Sequence, residues 1–267
     1  MAFVTRFAPS PTGPLHLGHA YSAILAHDMA RAQGGQFLLR IEDIDMARCR
    51  PEWEAQIYDD LHWLGLTWEK PALRQSDHFA RYDAALTTLE NQGLTYPCTC
   101  SRADIRSALS APQYGVSEMR YPGTCRHKTM QQRHPNDAIR LKLQGETVYF
   151  TEVGPDHSGA QAIKLADNDP VLGRKDMGTV AYLLACVVDD AAQKISHLVR
   201  GMDLFDVTAV QVHLQRLLGL PTPIYHHHRL IRDDLGIRLA KRDDARALSK
   251  YRAEGASPQE IRAMVGL

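Results

Sequence analysis

Residues 6–19 have the sequence RFAPSPTGPLHLGH, and this stretch decides the fold class. It begins in an apolar run, continues through a cluster of Pro, Ser, Thr and Gly, and ends in a pattern typical of a helix. Four elements are therefore predicted in the order strand, loop, helix and strand, at residues 3–7, 9–14, 17–33 and 36–41. This order begins a doubly wound α/β fold with a parallel sheet.

The chain after this stretch predicts further helices and then an insertion. One helix is predicted at residues 51–64, with Pro51 in its first turn, and another at residues 77–91, with Asp77 as its N-cap. From residue 96 to about residue 170 the chain becomes rich in Cys, Arg, His, Pro and Gly, which indicates an inserted module with its own small fold. Two strand-like runs lie within it, at residues 138–143 and 147–152.

Helical and strand patterns return at Ala181 and continue to the end of the chain. Residues 205–218 predict a helix, and the tail predicts one or two short helices, the last starting at Ser257 and Pro258. We expect a split Rossmann-type catalytic domain, an inserted module and a C-terminal helical tail, at residues 1–95 with 171–242, 96–170 and 243–267 respectively.

The composition is that of an ordinary globular protein without a dominant charge. The 267 residues are 44% hydrophobic and 23% charged, and 31 basic residues balance 31 acidic ones. A partner with a dense phosphate charge must therefore be met by local basic patches. The longest apolar run, at residues 181–188, is too short to span a membrane. We expect neither DNA nor a membrane among the partners.

The cysteines and the N-terminal residues suggest the cellular compartment. The first residues contain no apolar run of the length found in secretory signals. The five cysteines are odd in number, and Cys98 and Cys100 are separated by one residue. We therefore expect a protein of the reducing cytoplasm that uses some cysteines to bind a metal ion, not to form disulfides.

The loop before the first predicted helix has the chemistry of a nucleotide site. In an open parallel sheet, the turn from the first strand to the first helix is where the phosphates of a nucleotide bind. Gly18 allows the backbone to come close to the nucleotide, and His16 and His19 can donate hydrogen bonds to phosphate oxygens. Loops rich in Pro and Gly are also common without such a role, so the pattern H-x-G-H alone does not decide.

The longer run resembles the HIGH signature of class I aminoacyl-tRNA synthetases, and RFAPSPTG is the form found in their glutamyl group. This resemblance implies an enzyme that activates L-glutamate with MgATP, in which His16, Gly18 and His19 bind ATP. The residues RLAKR at 238–242 resemble a degenerate KMSKS loop, with Ala240 where the pattern has Ser. By the resemblance, Lys241 binds ATP and neutralises charge as pyrophosphate leaves. A basic pentamer on its own is typical of a surface turn.

Glutamate carries two carboxylates and one ammonium group, so a selective pocket needs cationic donors and one acceptor. The resemblance implies that Arg6 and Arg200 are the donors, and it leaves open which carboxylate each arginine binds. Glu42, at the end of the second strand, is placed to accept from the ammonium group. The full set predicted to bind glutamate is Arg6, Phe7, Ala8, Pro9, Ser10, Glu42, Tyr182 and Arg200. Without the resemblance, ordinary ion pairs and a core tyrosine explain these residue types equally well.

Three cysteines and a tyrosine predict a metal site within the insertion. Cys98, Cys100 and Cys125 supply three thiolates, which suit Zn²⁺, and Zn²⁺ takes a fourth ligand. The resemblance implies one structural Zn²⁺ with Tyr121 as that ligand, and His127 is the alternative. The cluster is spread over more residues than the family pattern, so an extra loop is expected at residues 107–119. Free cysteines in a reducing cell are the other interpretation.

Three consecutive histidines, at residues 226–228, also suggest a metal site. Because neighbours in a strand point to opposite faces, only two of the three can share one face. A strand that leads to the basic loop, with one histidine near the adenine of ATP, is the interpretation that we favour.

The length of the resemblance indicates a particular group of enzymes. It runs from Thr5 to about Arg246, and we expect the chain to lack the anticodon-binding part with which full glutamyl-tRNA synthetases continue. The glutamyl-queuosine tRNA(Asp) synthetases are a family with this layout. The resemblance therefore implies transfer of glutamate to the cyclopentenediol of queuosine, at the wobble position of tRNA(Asp). A truncated glutamyl-tRNA synthetase that charges a tRNA 3′ end, an H-x-G-H nucleotidyltransferase and a non-catalytic tRNA-binding module are the alternatives.

Overall fold

The computed structural model describes residues 2–101, 103–105, 120–174, 179–231 and 246–267. The helices are α1 Leu17–Ala32, α2 Pro51–Trp63, α3 Phe79–Asn91, α4 Tyr182–Ala192, α5 Phe205–Leu217, α6 Leu248–Ala253 and α7 Pro258–Val265. The first six strands are β1 Val4–Phe7, β2 Gln36–Ile41, β3 Leu73–Arg74, β4 Thr95–Cys98, β5 Ala138–Leu141 and β6 Thr147–Glu152. The others are β7 Gly159–Lys164, β8 Val171–Arg174, β9 Thr179–Val180, β10 His197–Gly201 and β11 Ile224–His228.

Parallel strands build the layer that positions the site. β1 pairs with β2 and β2 with β3, all in parallel, and β10 pairs in parallel with β11. β10 lies beside β1, where the Ser196 backbone N–H donates to the Val4 carbonyl oxygen at 3.0 Å. The spatial order β3-β2-β1-β10-β11 thus reverses direction between β1 and β10. In doubly wound folds a ligand binds at such a reversal, outside the carboxyl ends of the strands.

The segment between α3 and α4 contributes strands to two sheets. β4, β5, β8 and β9 form an antiparallel sheet, which carries Cys98 at the end of β4. The hairpin of β6 and β7 instead extends the parallel layer, because β6 pairs in parallel with β11, with Glu152 opposite Tyr225. This hairpin therefore brings Glu152 to the parallel layer, beside β11. The division into domains given above stays a prediction.

The two C-terminal helices pack on α1. Leu248, Ile261 and Val265 are buried in one apolar cluster with Ile24 of α1. The Leu248 backbone N–H donates to the Leu15 carbonyl oxygen at 2.8 Å, so the tail touches the loop quoted at the outset. None of the helices in the described part of the chain combines the length and apolarity needed to cross a bilayer.

Most of the predicted elements lie within a residue or two of their observed bounds. The strands at 36–41 and 147–152 match, and Ser257 is the N-cap of α7, where its hydroxyl accepts from the Glu260 backbone N–H. The predicted N-cap at Asp77 is wrong, because residues Gln75–His78 form a 3-10 turn and α3 starts after it.

Candidate active site

A cavity of about 340 Å³ opens where the strand order reverses, at the carboxyl ends of β1 and β10. Among the residues that line it are nine of the predicted ones: Arg6, Phe7, Ala8, His16, Gly18, His19, Glu42, Tyr182 and Arg200. An adjoining cavity, lined also by Phe7, Glu42 and Tyr182, takes in Pro9 and Ser10. Lys241 and Ala240 lie outside the described residues. The structure thus brings the predicted pocket residues together, and their contacts with substrates stay predictions.

The two signature histidines cap the N-terminus of α1. His16 Nδ1 accepts from the Gly18 backbone N–H at 3.1 Å, and His19 Nδ1 accepts from the His16 backbone N–H at 3.2 Å. A neutral imidazole whose Nδ1 accepts a hydrogen bond carries its proton on Nε2. The capping bonds therefore set both rings in the tautomer that donates through Nε2. Their rings also pack together, with centroids 3.8 Å apart.

Arg6 is held in a buried network of ion pairs. Its Nε donates to Asp190 Oδ1 at 3.2 Å, and Arg40 Nη1 donates to the same oxygen at 2.6 Å. Burial would raise the pKa of Asp190, but Arg40 and Arg6 outweigh it and lower that pKa to about 2. The carboxylate is therefore ionised at neutral pH and neutralises much of the charge of the two arginines.

The same network positions Glu42 at the pocket wall. Arg40 Nη2 donates to Glu42 Oε1 at 3.1 Å, and the Glu42 backbone N–H donates to the Pro9 carbonyl oxygen. Burial raises the pKa of Glu42 despite the opposing charges of Arg40 and Arg6. A carboxylate that is partly desolvated in this way has much to gain from a cationic ligand.

Arg200 has a different environment, because its hydrogen-bond partners are uncharged. Its Nε donates to His227 Nε2 at 3.0 Å, Nη1 to Gln211 Oε1 at 2.6 Å and Nη2 to Thr208 Oγ1 at 2.6 Å. Of the described carboxylates, none lies within 4.0 Å of this guanidinium group. Arg200 is only 4% exposed, so its charge is suited to binding an anion in the cavity.

Tyr182 is the first residue of α4 and supplies a neutral hydroxyl to the pocket. Burial is the largest cause that raises its pKa well above the ordinary value, and the neighbouring Cys186 and Glu42 add to the effect. One turn further along α4, Cys186 donates from Sγ to Asp190 Oδ2 at 3.3 Å. Burial raises the pKa of this thiol to about 12, so Cys186 stays protonated and supports the Arg6 network.

Three cysteines come together beside the end of β4, the strand of the antiparallel sheet that carries Cys98. The Sγ atoms of Cys98, Cys100 and Cys125 all lie within 4.8 Å of one another, and those of Cys100 and Cys125 are 3.6 Å apart. Thiolates on a tetrahedral Zn²⁺, with Zn–S bonds of about 2.3 Å, are about 3.8 Å apart. The three cysteines thus form a group that could bind a metal ion, and this geometry suits Zn²⁺. Cys49 and Cys186 lie outside the group.

Among the described side chains, Tyr121 is the best placed to be a fourth ligand. Its Oη lies 3.5 Å from Cys98 Sγ and accepts from the Cys125 backbone N–H at 2.7 Å. Burial and the Cys98 thiol raise the pKa of Tyr121, so a cation is needed to make it a phenolate. His127 is exposed and does not belong to the group of candidate ligands found among the described residues.

Four of the residues that shape the pocket escaped the sequence-based prediction, namely Arg40, Asp190, Thr208 and Gln211. Two of them leave a signal in the sequence. Arg40 interrupts the apolar strand QFLLRI, and Asp190 follows Asp189 directly after the apolar run at the start of α4. A charged residue inside an apolar element is buried only when it has a partner, so such residues are expected to pair. The two polar residues on α5 leave no comparable signal.

The fold and the pocket define a class I tRNA synthetase catalytic domain. The family model described as tRNA synthetases class I (E and Q), catalytic domain, matches residues 2–267, and the chain belongs to this family. Among solved structures, the glutamate-tRNA synthetase from Elizabethkingia anophelis aligns with a TM-score of 0.81 at 24% identity. That alignment covers 100% of this chain and 61% of the longer one, and it shows the shared fold. The predicted fold class is confirmed, as is the prediction of an enzyme of the synthetase family.

Within the family, the chain is similar to a particular group. It is 59% identical to the glutamyl-Q tRNA(Asp) synthetase of Rhodobacter capsulatus, over 99% of this chain and 100% of the relative. It is 43% identical to the protein of the same name from Symbiobacterium thermophilum, over 96% of this chain and 83% of that relative. The resemblance stated from the sequence motifs is thereby confirmed.

Proposed function

We propose that this protein activates L-glutamate with MgATP and transfers it to the cyclopentenediol of queuosine in tRNA(Asp). The observation that carries the proposal is the 59% identity to a glutamyl-Q tRNA(Asp) synthetase over the whole of that relative. The pocket at the strand reversal supports it, because two arginines, one glutamate and a tyrosine line one cavity beside the signature histidines.

The first step needs positioning and charge neutralisation and no nucleophilic side chain. A glutamate α-carboxylate oxygen attacks the α-phosphorus of ATP, the bond to the β,γ-phosphates breaks, and pyrophosphate leaves. Arg6 and Arg200 bind carboxylates, Glu42 accepts from the ammonium group, and Tyr182 with Phe7, Ala8, Pro9 and Ser10 lines the rest of the glutamate site. Catalysis is assigned to His16, His19 and Lys241, which with Gly18 bind the phosphates.

In the second step a hydroxyl of queuosine attacks the acyl carbon of glutamyl-adenylate, an ester forms, and AMP leaves with the bonding electrons. The hydroxyl proton goes to the departing phosphate or to solvent. The acceptor base lies in a single-stranded loop, where it can leave its neighbours and enter the pocket.

The cysteine cluster has a structural role in this proposal. Cys98, Cys100, Cys125 and Tyr121 would hold one Zn²⁺, which ties the end of β4 to the segment around Cys125 and orders the surface next to the active site. A cytoplasmic location, where thiols stay reduced and can bind a metal ion, is part of the proposal. The split catalytic domain, the inserted zinc-binding module and the helical tail are the domain organisation that we propose.

Two measurements test the proposal. Purified protein should catalyse glutamate-dependent exchange of pyrophosphate into ATP without tRNA, and Lys241→Ala should reduce this exchange about a hundredfold or more while the circular dichroism spectrum is unchanged. Exchange with another acid but not with glutamate would contradict the assignment and favour an H-x-G-H nucleotidyltransferase.

The acceptor is tested with labelled glutamate and two preparations of tRNA(Asp). The form that carries queuosine should be labelled, and the form that lacks queuosine should not. Equal labelling of both would instead favour a glutamyl-tRNA synthetase that charges the 3′ end, the alternative suggested by the fold shared with the Elizabethkingia enzyme.

A further inference from the structure

A buried carboxylate from the β6–β7 hairpin connects to the pocket arginine through one imidazole. Glu152 Oε2 lies 2.5 Å from His227 Nδ1, and His227 Nε2 accepts from Arg200 Nε at 3.0 Å. The Glu152 and His227 side chains are both 0% exposed. The three residues therefore form a continuous chain of hydrogen bonds, shielded from water, that ends at the cavity.

The direction of each hydrogen bond in this chain is determined by chemistry. An arginine can only donate, so His227 Nε2 must be an acceptor and carries no proton. The proton of the neutral ring is then on Nδ1 and is donated to Glu152. Burial and the positive charge of Arg200 lower the pKa of His227 to about 4, which agrees with a neutral ring at neutral pH.

Glu152 is itself fixed by the backbone. Its Oε1 accepts from the backbone N–H groups of His227 at 2.9 Å and Gly154 at 2.6 Å. A Cβ atom at position 154 would lie 2.3 Å from the His227 carbonyl oxygen and 2.7 Å from Glu152 Oε1, so only glycine permits this approach. The register of β6 and β11 thus delivers one carboxylate to one imidazole.

We propose that Glu152 and His227 are positioning residues that determine how strongly Arg200 binds the substrate glutamate. Glu152 selects the Nδ1–H tautomer of His227, and this tautomer presents an acceptor to Arg200 Nε. The guanidinium plane is thereby held, and its Nη groups keep one direction relative to the cavity. Because Glu152 acts through a neutral ring and not by direct ion pairing, Arg200 keeps its charge for the substrate anion.

Glu152→Gln tests the inference, which rests on the proposed activation of glutamate. An amide N–H2 opposite Nδ1 favours the other tautomer. Its Nε2–H can donate to Thr208 Oγ1, 3.0 Å away, but can no longer accept from Arg200 Nε, so Arg200 loses its imidazole acceptor. In the pyrophosphate exchange assay, KM for glutamate should rise about tenfold or more, while KM for ATP and kcat stay within about twofold. A purely structural role would lower the active fraction, and with it kcat, and leave KM for glutamate unchanged.

Glu146→Gln is the matched control. Glu146 also pairs with a buried histidine, His213, at 3.7 Å, and neither residue contacts Arg200. This change should leave KM for glutamate unchanged. In a His227→Phe background, Glu152→Gln should have no further effect on KM, because no imidazole remains to be oriented.

A measurement on the unchanged protein covers the case in which the variants do not fold. Nitrogen-15 NMR of labelled histidine at about pH 7.5 should show His227 neutral and protonated on Nδ1. An Nε2–H tautomer or an imidazolium would overturn the inference, as would an unchanged KM in a folded Glu152→Gln variant. If the unchanged protein shows no exchange with glutamate, the proposed function fails, and the NMR result still decides whether the hydrogen-bond chain is correct.

Discussion

The Asp190 carboxylate is shared by two buried arginines, so Asp190→Asn measures how much these ion pairs contribute to the free energy of unfolding. Its Oδ1 accepts from Arg40 at 2.6 Å and from Arg6 at 3.2 Å, and the three side chains are 4%, 0% and 5% exposed. The amide keeps the shape of the carboxylate and removes its charge. Both guanidinium groups then lose their shared counter-ion, and breaking a buried ion pair in this way costs about 3–5 kcal/mol.

The perturbed pKa of Asp190 gives a second measure of the same interaction. The pKa falls from an ordinary value of 3.8 to about 2, since the attraction of the arginines exceeds the cost of burial. One pKa unit corresponds to about 1.4 kcal/mol, so the folded state favours the carboxylate by roughly 2–3 kcal/mol. We therefore expect Asp190→Asn to lower the free energy of unfolding by about 3 kcal/mol, or Tm by about 5 °C at this chain length.

The pH dependence of this effect has a definite sign. The folded pKa of Asp190 lies below the unfolded one, so the stabilisation is complete above the unfolded value and is lost as the pH falls through the folded value. The difference in unfolding free energy between the natural protein and Asp190→Asn should therefore be constant from about pH 5 to about pH 8. It should shrink below about pH 4, where Asp190 of the natural protein is also losing its charge.

Urea unfolding followed by circular dichroism measures the difference, and Asp28→Asn is the control. Asp28 pairs with Arg262 near the surface, where the two side chains are 42% and 31% exposed, so its loss should cost less than about 1 kcal/mol. If Asp190→Asn costs no more than Asp28→Asn, or if its cost is the same at about pH 3 as at about pH 7, the explanation of the network is wrong.

Three further predictions concern other parts of the chain. Both carboxylate oxygens of Asp60 are buried without a hydrogen-bond partner among the described residues, and burial raises its pKa to about 6. The natural protein thus loses stability as the pH rises through that value. Asp60→Asn should therefore raise the unfolding free energy by roughly 1–3 kcal/mol at about pH 8 and leave it unchanged at about pH 4. Thermal melts at the two pH values measure the difference. The Tyr121→Phe variant should lose zinc to a chelator about tenfold faster than the natural protein, as followed by metal analysis, and the His127→Ala variant should not. The reverse result would make His127 the ligand. Ser257→Ala removes the cap of α7 and should lower Tm by about 2 °C, and an unchanged Tm would show that the cap contributes little.

Local signals account for the parts of the fold that the sequence predicted well. Pro51 and Ser257 start helices because their preferences act on the adjacent backbone alone. The start of α3 was missed because a distant contact decides it. The Ser76 backbone N–H and hydroxyl both donate to Asp43, at 2.8 and 2.6 Å, and this holds residues Gln75–His78 in a 3-10 turn. The preference of Asp77 for the N-cap position does not depend on that contact and could not predict it.

In the candidate site, too, local features were predictable from the sequence and long-range contacts were not. The signature run carries Arg6, His16 and His19 on one strand–loop–helix unit of 14 residues, so their proximity is predictable from the sequence. The contacts that hold the pocket span much longer separations, with 150 residues between Arg40 and Asp190 and 75 between Glu152 and His227. Such pairs form when strands and helices pack together, and a single sequence does not show which two residues will pair. The sequence does show charged residues within apolar elements. Because burying an unpaired charge is costly, such residues are expected to have a partner.

The two pocket arginines are both buried, but only one of them has a carboxylate in direct contact. Arg6 contacts Asp190 directly, so its charge is compensated before any substrate arrives. Arg200 is as deeply buried, yet its carboxylate, Glu152, is kept one imidazole away, and its direct partners are neutral. A carboxylate in direct contact with Arg200 would stabilise the free protein and weaken the attraction of Arg200 for an anion in the cavity. An anion in the cavity would compensate this charge, and in the proposed function that anion is one of the two carboxylates of glutamate.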